Sequence, residues 1–123
     1  MKLAVRINAD DTTEVMDISG DSLTALQGAV GGYVEAVTLK DDLTMWVNEE
    51  GKIHNLPINE SATVIFAAAF HVINTIRGDV VLTGGTDEFG DIVALKDKQA
   101  TEIVAWVNDG QETADKFTKK GAI

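Results

Sequence analysis

Carboxylates are the most numerous side chains in this sequence that could do chemistry. Eight of the twenty form adjacent pairs, and one more acid follows the last pair: Asp10–Asp11, Asp41–Asp42, Glu49–Glu50, Asp87–Glu88 and Asp91. Each pair falls in a predicted turn, where both carboxyl groups are expected to be solvated. Acid–base catalysis instead needs carboxyl groups that burial and mutual contact have perturbed. The pairs are therefore predicted to be surface features and not catalytic groups.

Other patterns of catalysis and metal binding are missing from the sequence. The absence of cysteine excludes disulfides, thiolate ligands and cysteine nucleophiles. His54 and His71 have no metal-ligating residue three or four positions later, and no serine stands in a GxSxG motif. The loop "GGTDEFGD" lacks the GxxxxGK[ST] and GxGxxG phosphate motifs. We therefore predict no catalytic residue, no metal and no cofactor, and a protein that is not an enzyme.

The charge balance limits the classes of partner. Twenty acidic residues against ten basic ones give a net charge of −10. Direct binding to nucleic acid is disfavoured because phosphate neutralisation needs clustered Lys and Arg, and anionic membranes are disfavoured for the same reason. A basic partner protein is allowed, although acidity can also serve solubility alone. No stretch approaches the ~20 apolar residues that span a bilayer, and the first residues indicate a strand, so a cytoplasmic location is expected.

The candidate partner-binding surface consists of the predicted acidic turns and one aromatic residue. Phe89 lies inside the acidic loop, where it is either an exposed anchor or packs over the edge of the sheet; burial statistics for Phe favour packing. If the turns come to one edge of the sheet, they form a single negative patch. Its members are Asp10, Asp11, Asp41, Asp42, Glu49, Glu50, Asp87, Glu88, Phe89 and Asp91.

The pattern of apolar residues predicts a single α+β domain over 1–123. Residues 2–8 and 14–18 alternate as a β-hairpin, and "SGDS" offers helix N-caps before a helix that ends at Gly31–Gly32. Two more strands, a helix, a strand and a final helix follow, with residues 92–95 as a candidate returning strand. The predicted order is β-β-α-β-β-α-β-(β)-α, in a mostly antiparallel sheet with about three helices on one face.

Two helices carry further expectations. Asn59 is the predicted N-cap of a helix from Glu60 to about Phe70 that is apolar almost all round, which is typical of a core element or an oligomer contact. The last helix is predicted from about Lys98 to Asn108, with Asp97 as its cap and Gly110 as its end. Self-association is expected, if it occurs, through the Ala62–Phe70 helix or the Trp106 helix.

Three stretches together resemble a known family. They are "LTALQGAVGGYVEAVTL", "LTMWVNEEGKIHNLPINESAT" and "GDVVLTGGTDEFGDIVAL", and they are similar to domain of unknown function 3846. The resemblance covers a core over 1–95 and leaves the helix and tail at 96–123 outside. It implies no reaction and no catalytic residue. It does imply a context of phages, plasmids and the bacterial genomes that carry them.

The functional hypothesis is a non-enzymatic accessory protein that binds and modulates a basic host protein. Acidic proteins of this kind sometimes imitate DNA by placing carboxylates where phosphates would be. One alternative is a self-assembling structural domain. The other is a protein that sequesters a small molecule such as a nucleotide, with polar contacts from Tyr33, His54, Asn55 and Asn59.

Overall fold

The structure, a computed structural model, describes residues 1–109. Within this range five strands and three helices confirm the α+β class and the predicted order without the returning strand. Gly110 and the tail that follows it lie outside the described residues. The elements are β1 (Leu3–Ile7), β2 (Thr13–Asp17), α1 (Ser22–Val30), β3 (Val34–Lys40), β4 (Leu43–Asn48), α2 (Glu60–Phe70), β5 (Val80–Thr83) and α3 (Asp97–Asn108).

The last strand in the sequence occupies the centre of the sheet. The strand order is β2-β1-β5-β4-β3, and every neighbouring pair is antiparallel. β5 therefore joins the β1–β2 hairpin on one side to the β3–β4 hairpin on the other. All four residues of β5 are buried, as expected of a short strand that is covered on both faces.

Helices cover both faces of the sheet. On one face, Val5 and Leu82 belong to a core cluster that includes Ile65 of α2 and Trp106 of α3. On the other face, Val81 belongs to a second cluster with residues of α1. The prediction that all helices lie on one face was wrong. Successive side chains of a strand point to opposite faces, and β5 is buried on both sides, with Ala4 of β1 buried beside Val81, so each face needs a cover.

The helix caps confirm three of the local predictions. The carboxylate of Asp21 accepts a hydrogen bond from the amide of Thr24 at the start of α1. Gly31 ends that helix with a φ of 79°, a left-handed conformation that glycine adopts without steric cost. Asn59 caps α2, where its side chain accepts from the amide of Ala62 at 3.0 Å.

The two helices that were predicted as possible oligomer contacts, α2 and α3, differ in burial. Only Ser61, Ala62 and Ile65 of α2 are fully buried, and the ring of Phe70 at its end is 40% exposed. α2 is thus a core element on one side and an apolar surface on the other. Trp106 of α3 is 2% exposed because the core surrounds its side chain, and self-association through either helix stays a prediction.

The segment around α3 departs from the prediction in two details. Residues 92–95 form no strand: Ile92 makes an isolated bridge to Thr86, and the amide of Leu95 donates instead to the carbonyl of Leu3 at 2.8 Å. Leu95 is thus bonded to the start of β1, and β5 has no free edge for a returning strand because β1 and β4 flank it. Lys96, and not Asp97, is the N-cap residue of α3.

Candidate partner-binding surface

The antiparallel sheet divides the ten predicted surface residues between two opposite ends. The end of β1 pairs with the start of β5 (Ile7 with Val80), so the turn after β1 and the turn after β4 share one end. The start of β4 pairs with the end of β5 (Thr44 with Thr83), so the β3–β4 turn and the loop after β5 share the other. The predicted patch is therefore two groups. The Glu49 end holds Asp10, Asp11, Glu49 and Glu50; the Phe89 end holds Asp41, Asp42, Asp87, Glu88, Phe89 and Asp91.

Close packing joins the two loops of the Phe89 end. A Cβ atom at Gly85 would overlap the carbonyl oxygen of Asp41, so the loop after β5 lies directly on the β3–β4 turn. The side-chain amide of Gln99 in α3 donates to the carbonyl of Asp42 at 3.2 Å. The turn, the loop and the start of α3 therefore hold one another in place.

The carboxylate of Asp87 organises the tip of the loop. Its Oδ1 accepts hydrogen bonds from the amides of Phe89 at 2.8 Å and Asp91 at 2.9 Å. The amide of Gly90 donates to the carbonyl of Asp87 at 3.0 Å, and Gly90 has a φ of 82°. Asp at the first and Gly at the fourth position of "DEFG" is a turn pattern that could have revealed this arrangement from the sequence.

Phe89 stands at this tip and is 81% exposed. The prediction that its ring packs over the edge of the sheet was wrong, because the turn formed by Asp87 holds the residue away from the sheet. Phe is among the residues most often buried, so a ring that is left in solvent is unusual. Here it lies on a loop whose backbone is held by several hydrogen bonds. The loop thus presents the ring in a defined position.

At the Glu49 end, the carboxylates of Asp10 and Asp11 accept hydrogen bonds that hold the turn after β1. The Thr12 hydroxyl donates to Asp10 and lowers the pKa of that carboxyl, and the Thr12 amide adds to the effect. The hydroxyl of Ser61 donates to Asp11 at 3.2 Å, which ties this turn to the start of α2. Glu50 lies 3.9 Å from the imidazole of His54. These contacts give Asp10 and Asp11 a structural role.

The residues predicted to contact a small molecule do not form one site. Asn59 is fully buried, and all its side-chain hydrogen bonds go to the protein. Asn55 accepts from the Arg77 guanidinium. Tyr33 and His54 line an open hollow of about 320 Å³ together with Asn48 and Glu50. Residues 1–109 contain no group of three or more His, Cys, Asp or Glu that could hold a metal.

A comparison with protein families identifies the family of this chain. The family model for a domain of unknown function, DUF3846, matches residues 1–108. The chain belongs to this family. No curated protein and no solved structure matches it. The DUF3846 match includes α3, which the resemblance of the three sequence stretches had left outside.

Residues of the DUF3846 resemblance hold together the turns beyond β4. The side-chain amide of Asn48 donates to the carbonyl of Val30 at 3.0 Å and thereby joins β4 to the end of α1. A Cβ at Gly51 would lie 2.9 Å from the carbonyl oxygen of Arg77, so only glycine allows these segments to touch. Gly78 has a φ of 87° and packs against Leu56. The contacts of Asn48, Gly51 and Gly78 therefore explain these residues by their role in the fold.

None of the helices within residues 1–109 is long and apolar enough to cross a bilayer.

Proposed function

We propose that this protein is a non-enzymatic accessory protein that binds a basic surface of a host protein through its Phe89 end. The observation that carries the proposal is the exposed ring of Phe89 on a hydrogen-bonded loop, beside the exposed acids Asp41, Asp42, Glu88 and Asp91. An aromatic anchor inside a polar rim is the usual arrangement of the residues that dominate a protein interface.

The loop that carries Phe89 is held by hydrogen bonds before any partner binds, and this supports a role in binding. Association costs free energy when loops and side chains have to be fixed, and a loop that is already fixed avoids much of that cost. Burying a Phe side chain fully stabilises a complex by about 1.5–3 kcal/mol. The surrounding carboxylates contribute mainly to the association rate and to selection of a basic partner, and salt screens this contribution.

The predicted acidic residues lie at two opposite ends of the sheet, and this disfavours mimicry of an extended DNA segment. A mimic of an extended DNA segment needs carboxylates along one continuous surface, whereas this chain has them at two opposite ends of the sheet. We therefore propose a compact contact at the Phe89 end, in which the acids occupy a basic groove around the aromatic anchor. A host protein as partner follows from the phage and plasmid context that the family resemblance implies, and it is part of the proposal.

A pair of matched charge reversals tests the choice of surface. Both Glu88 and Glu49 are exposed, and they lie at opposite ends of the sheet. A partner captured from bacterial lysate at low salt is identified, and its dissociation constant is then measured for the wild type, F89A, E88K and E49K. We expect F89A to weaken binding by about tenfold or more. E88K should weaken binding and reduce its salt dependence, while E49K should leave binding unchanged.

The opposite pattern would contradict the proposal. If F89A binds the partner as tightly as the wild type does, Phe89 is not an anchor of the interface. If E49K and E88K weaken binding equally, the Phe89 end is not the preferred surface. Thermal unfolding of each variant shows whether a loss of binding comes from a loss of structure.

A further inference from the structure

The two edge strands of the sheet differ in how they are protected. An exposed edge offers unpaired backbone N–H and C=O groups to another strand, and charged residues on that edge discourage pairing. β2 is one edge; within its five residues it carries Glu14 and Asp17. β3 is the other edge and the longest strand of the described chain, and its centre, Ala36–Val37–Thr38, is uncharged. The β3 edge is therefore open to a partner strand.

The charges at the two ends of β3 complement each other under a two-fold axis. Glu35 lies near the start of the strand and Lys40 at its end. The register with β4 shifts between Thr38 and Lys40, so Leu39 and Lys40 form a bulge. Two residues of a bulge oppose one residue of the neighbouring strand. The bulge belongs to the pairing with β4; in an antiparallel pair of β3 strands centred on Val37, Glu35 of each copy lies opposite Leu39 of the other and one residue from Lys40.

A surface of apolar and polar side chains lies beside this edge. Phe66 of α2 lines a hollow of about 360 Å³ together with Glu35 and Val37 of β3 and the exposed Ile53. The ring of Phe70 lies 4.6 Å from that of Phe66 and is partly exposed. A two-fold axis perpendicular to the sheet leaves both α2 helices on the same face, where their exposed apolar side chains lie on the side of the new seam.

We propose that two copies of this chain pair through β3 and form a dimer with one continuous sheet of ten strands, five from each copy. A second copy is the occupant that fits, because one surface supplies both members of the charge pair, as an isologous interface requires. Two chains of charge −10 repel each other, and 0.15 M salt limits this repulsion to a range of about 8 Å. The proposal is independent of the Phe89 end, which each copy keeps free.

Charge reversals at the ends of β3 test the register. The mass in solution is measured by sedimentation and light scattering at 0.15 M salt over a range of concentrations for the wild type, E35K, K40E, E35K/K40E and E88K. Each single reversal brings like charges at residues 35 and 40 close together twice across the seam, so the dissociation constant of the dimer should rise by about tenfold. The double exchange should restore the dimer, and E88K should leave it unchanged.

A cross-link tests the same pairing without relying on affinity. The chain has no cysteine, so V37C introduces a single thiol. The two copies of residue 37 lie directly opposite in the proposed dimer, at a Cβ separation of about 4.5–5.5 Å that a disulfide nearly matches. Under mild oxidation V37C should form a covalent dimer much faster than V15C, which places its thiol at an exposed position on the other edge.

Three results would overturn the dimer. They are a wild-type chain that stays monomeric at millimolar concentration, a dimer that neither E35K nor K40E weakens, and equal cross-linking of V37C and V15C. None of these outcomes affects the proposed role of the Phe89 end, which E88K and F89A test separately.

Discussion

Among single residues, Asn59 connects more parts of the fold than any cap in an exposed turn can. Its Oδ1 accepts from the amide of Ala62, and its Nδ2 donates at 3.0 Å to the carbonyls of both Ile7 and Gly78. It thereby joins the start of α2 to the end of β1 and to the turn before β5. Its side chain is 0% exposed, so water cannot replace any of these partners.

Substitutions of Asn59 should distinguish its accepting atom from its donating atom. N59A removes the cap and leaves buried carbonyls without a donor, which should lower the free energy of unfolding by about 2–4 kcal/mol. Asp and Asn are equally good at exposed N-caps, yet N59D loses both donors and buries a charge. We expect N59D to lose at least as much stability as N59A in urea unfolding.

The matched control is D21N at the exposed cap of α1. It should lower the urea midpoint much less than N59D does, because Asn keeps the acceptor for the Thr24 amide and loses only the exposed bond from the Thr24 hydroxyl. A stable N59D, or a D21N as damaging as N59D, would contradict this account of the buried cap.

Among elements, the glycines of α1 and of the Phe89 end have opposite requirements. Gly28 lies within α1, and a Cβ built on it would meet no heavy atom within 4 Å. At Gly84 a Cβ would lie 2.6 Å from the carbonyl oxygen of Ala94, and at Gly85 it would overlap that of Asp41. The helix tolerates a side chain where the loop does not.

Alanine at these positions should change stability in opposite directions. G28A reduces the freedom of the unfolded chain and should stabilise the fold by about 0.5–1 kcal/mol. G85A forces the loop away from the β3–β4 turn and should destabilise it by about 1–3 kcal/mol. Thermal unfolding checks both, and equal effects of the two substitutions would contradict the packing of the Phe89 end.

On the scale of the whole molecule, hydrogen-bonded carboxylates make the fold sensitive to acid. The Ser19 hydroxyl is the main cause that lowers the pKa of Asp17 to about 2, with help from the amides of Lys2 and Ser19. The Thr24 hydroxyl likewise lowers the pKa of Asp21, as the Thr12 hydroxyl does for Asp10. Each of the three lies where the chain reverses or enters a helix.

The direction of the pH effect follows from these lowered pKa values. Between an unfolded pKa near 3.8 and a folded value of about 2, Asp17 binds more protons in the unfolded chain than in the folded one. Its contribution is complete above about pH 4 and is lost as the pH falls towards 2. We expect the urea midpoint of the wild type to fall over this window and that of D17N to fall less steeply. Parallel profiles would exclude this role of Asp17.

The sequence predicts the local parts of this fold better than the positions that depend on strand order. The hairpins, the cap at Asn59 and the stop at Gly31 follow from neighbouring residues alone. The placement of α1 on its own face does not, because it depends on β5 entering between β1 and β4. The same insertion sends the Asp10 and Asp41 turns to opposite ends. The exposure of Phe89 depends on a turn of only a few residues, which burial statistics for Phe overlook.

The central position of β5 also has a consequence for how the chain acquires its structure. Within residues 1–109 the first strand pairs with the last, and the two hairpins join one sheet only through β5. Contacts between residues distant in sequence slow folding, because a long loop has to close before they form. During synthesis the two hairpins therefore share no sheet until residues 80–83 have left the ribosome. The nascent protein then acquires its common sheet late, and the core beneath α3 is complete only after residues 97–108 have followed.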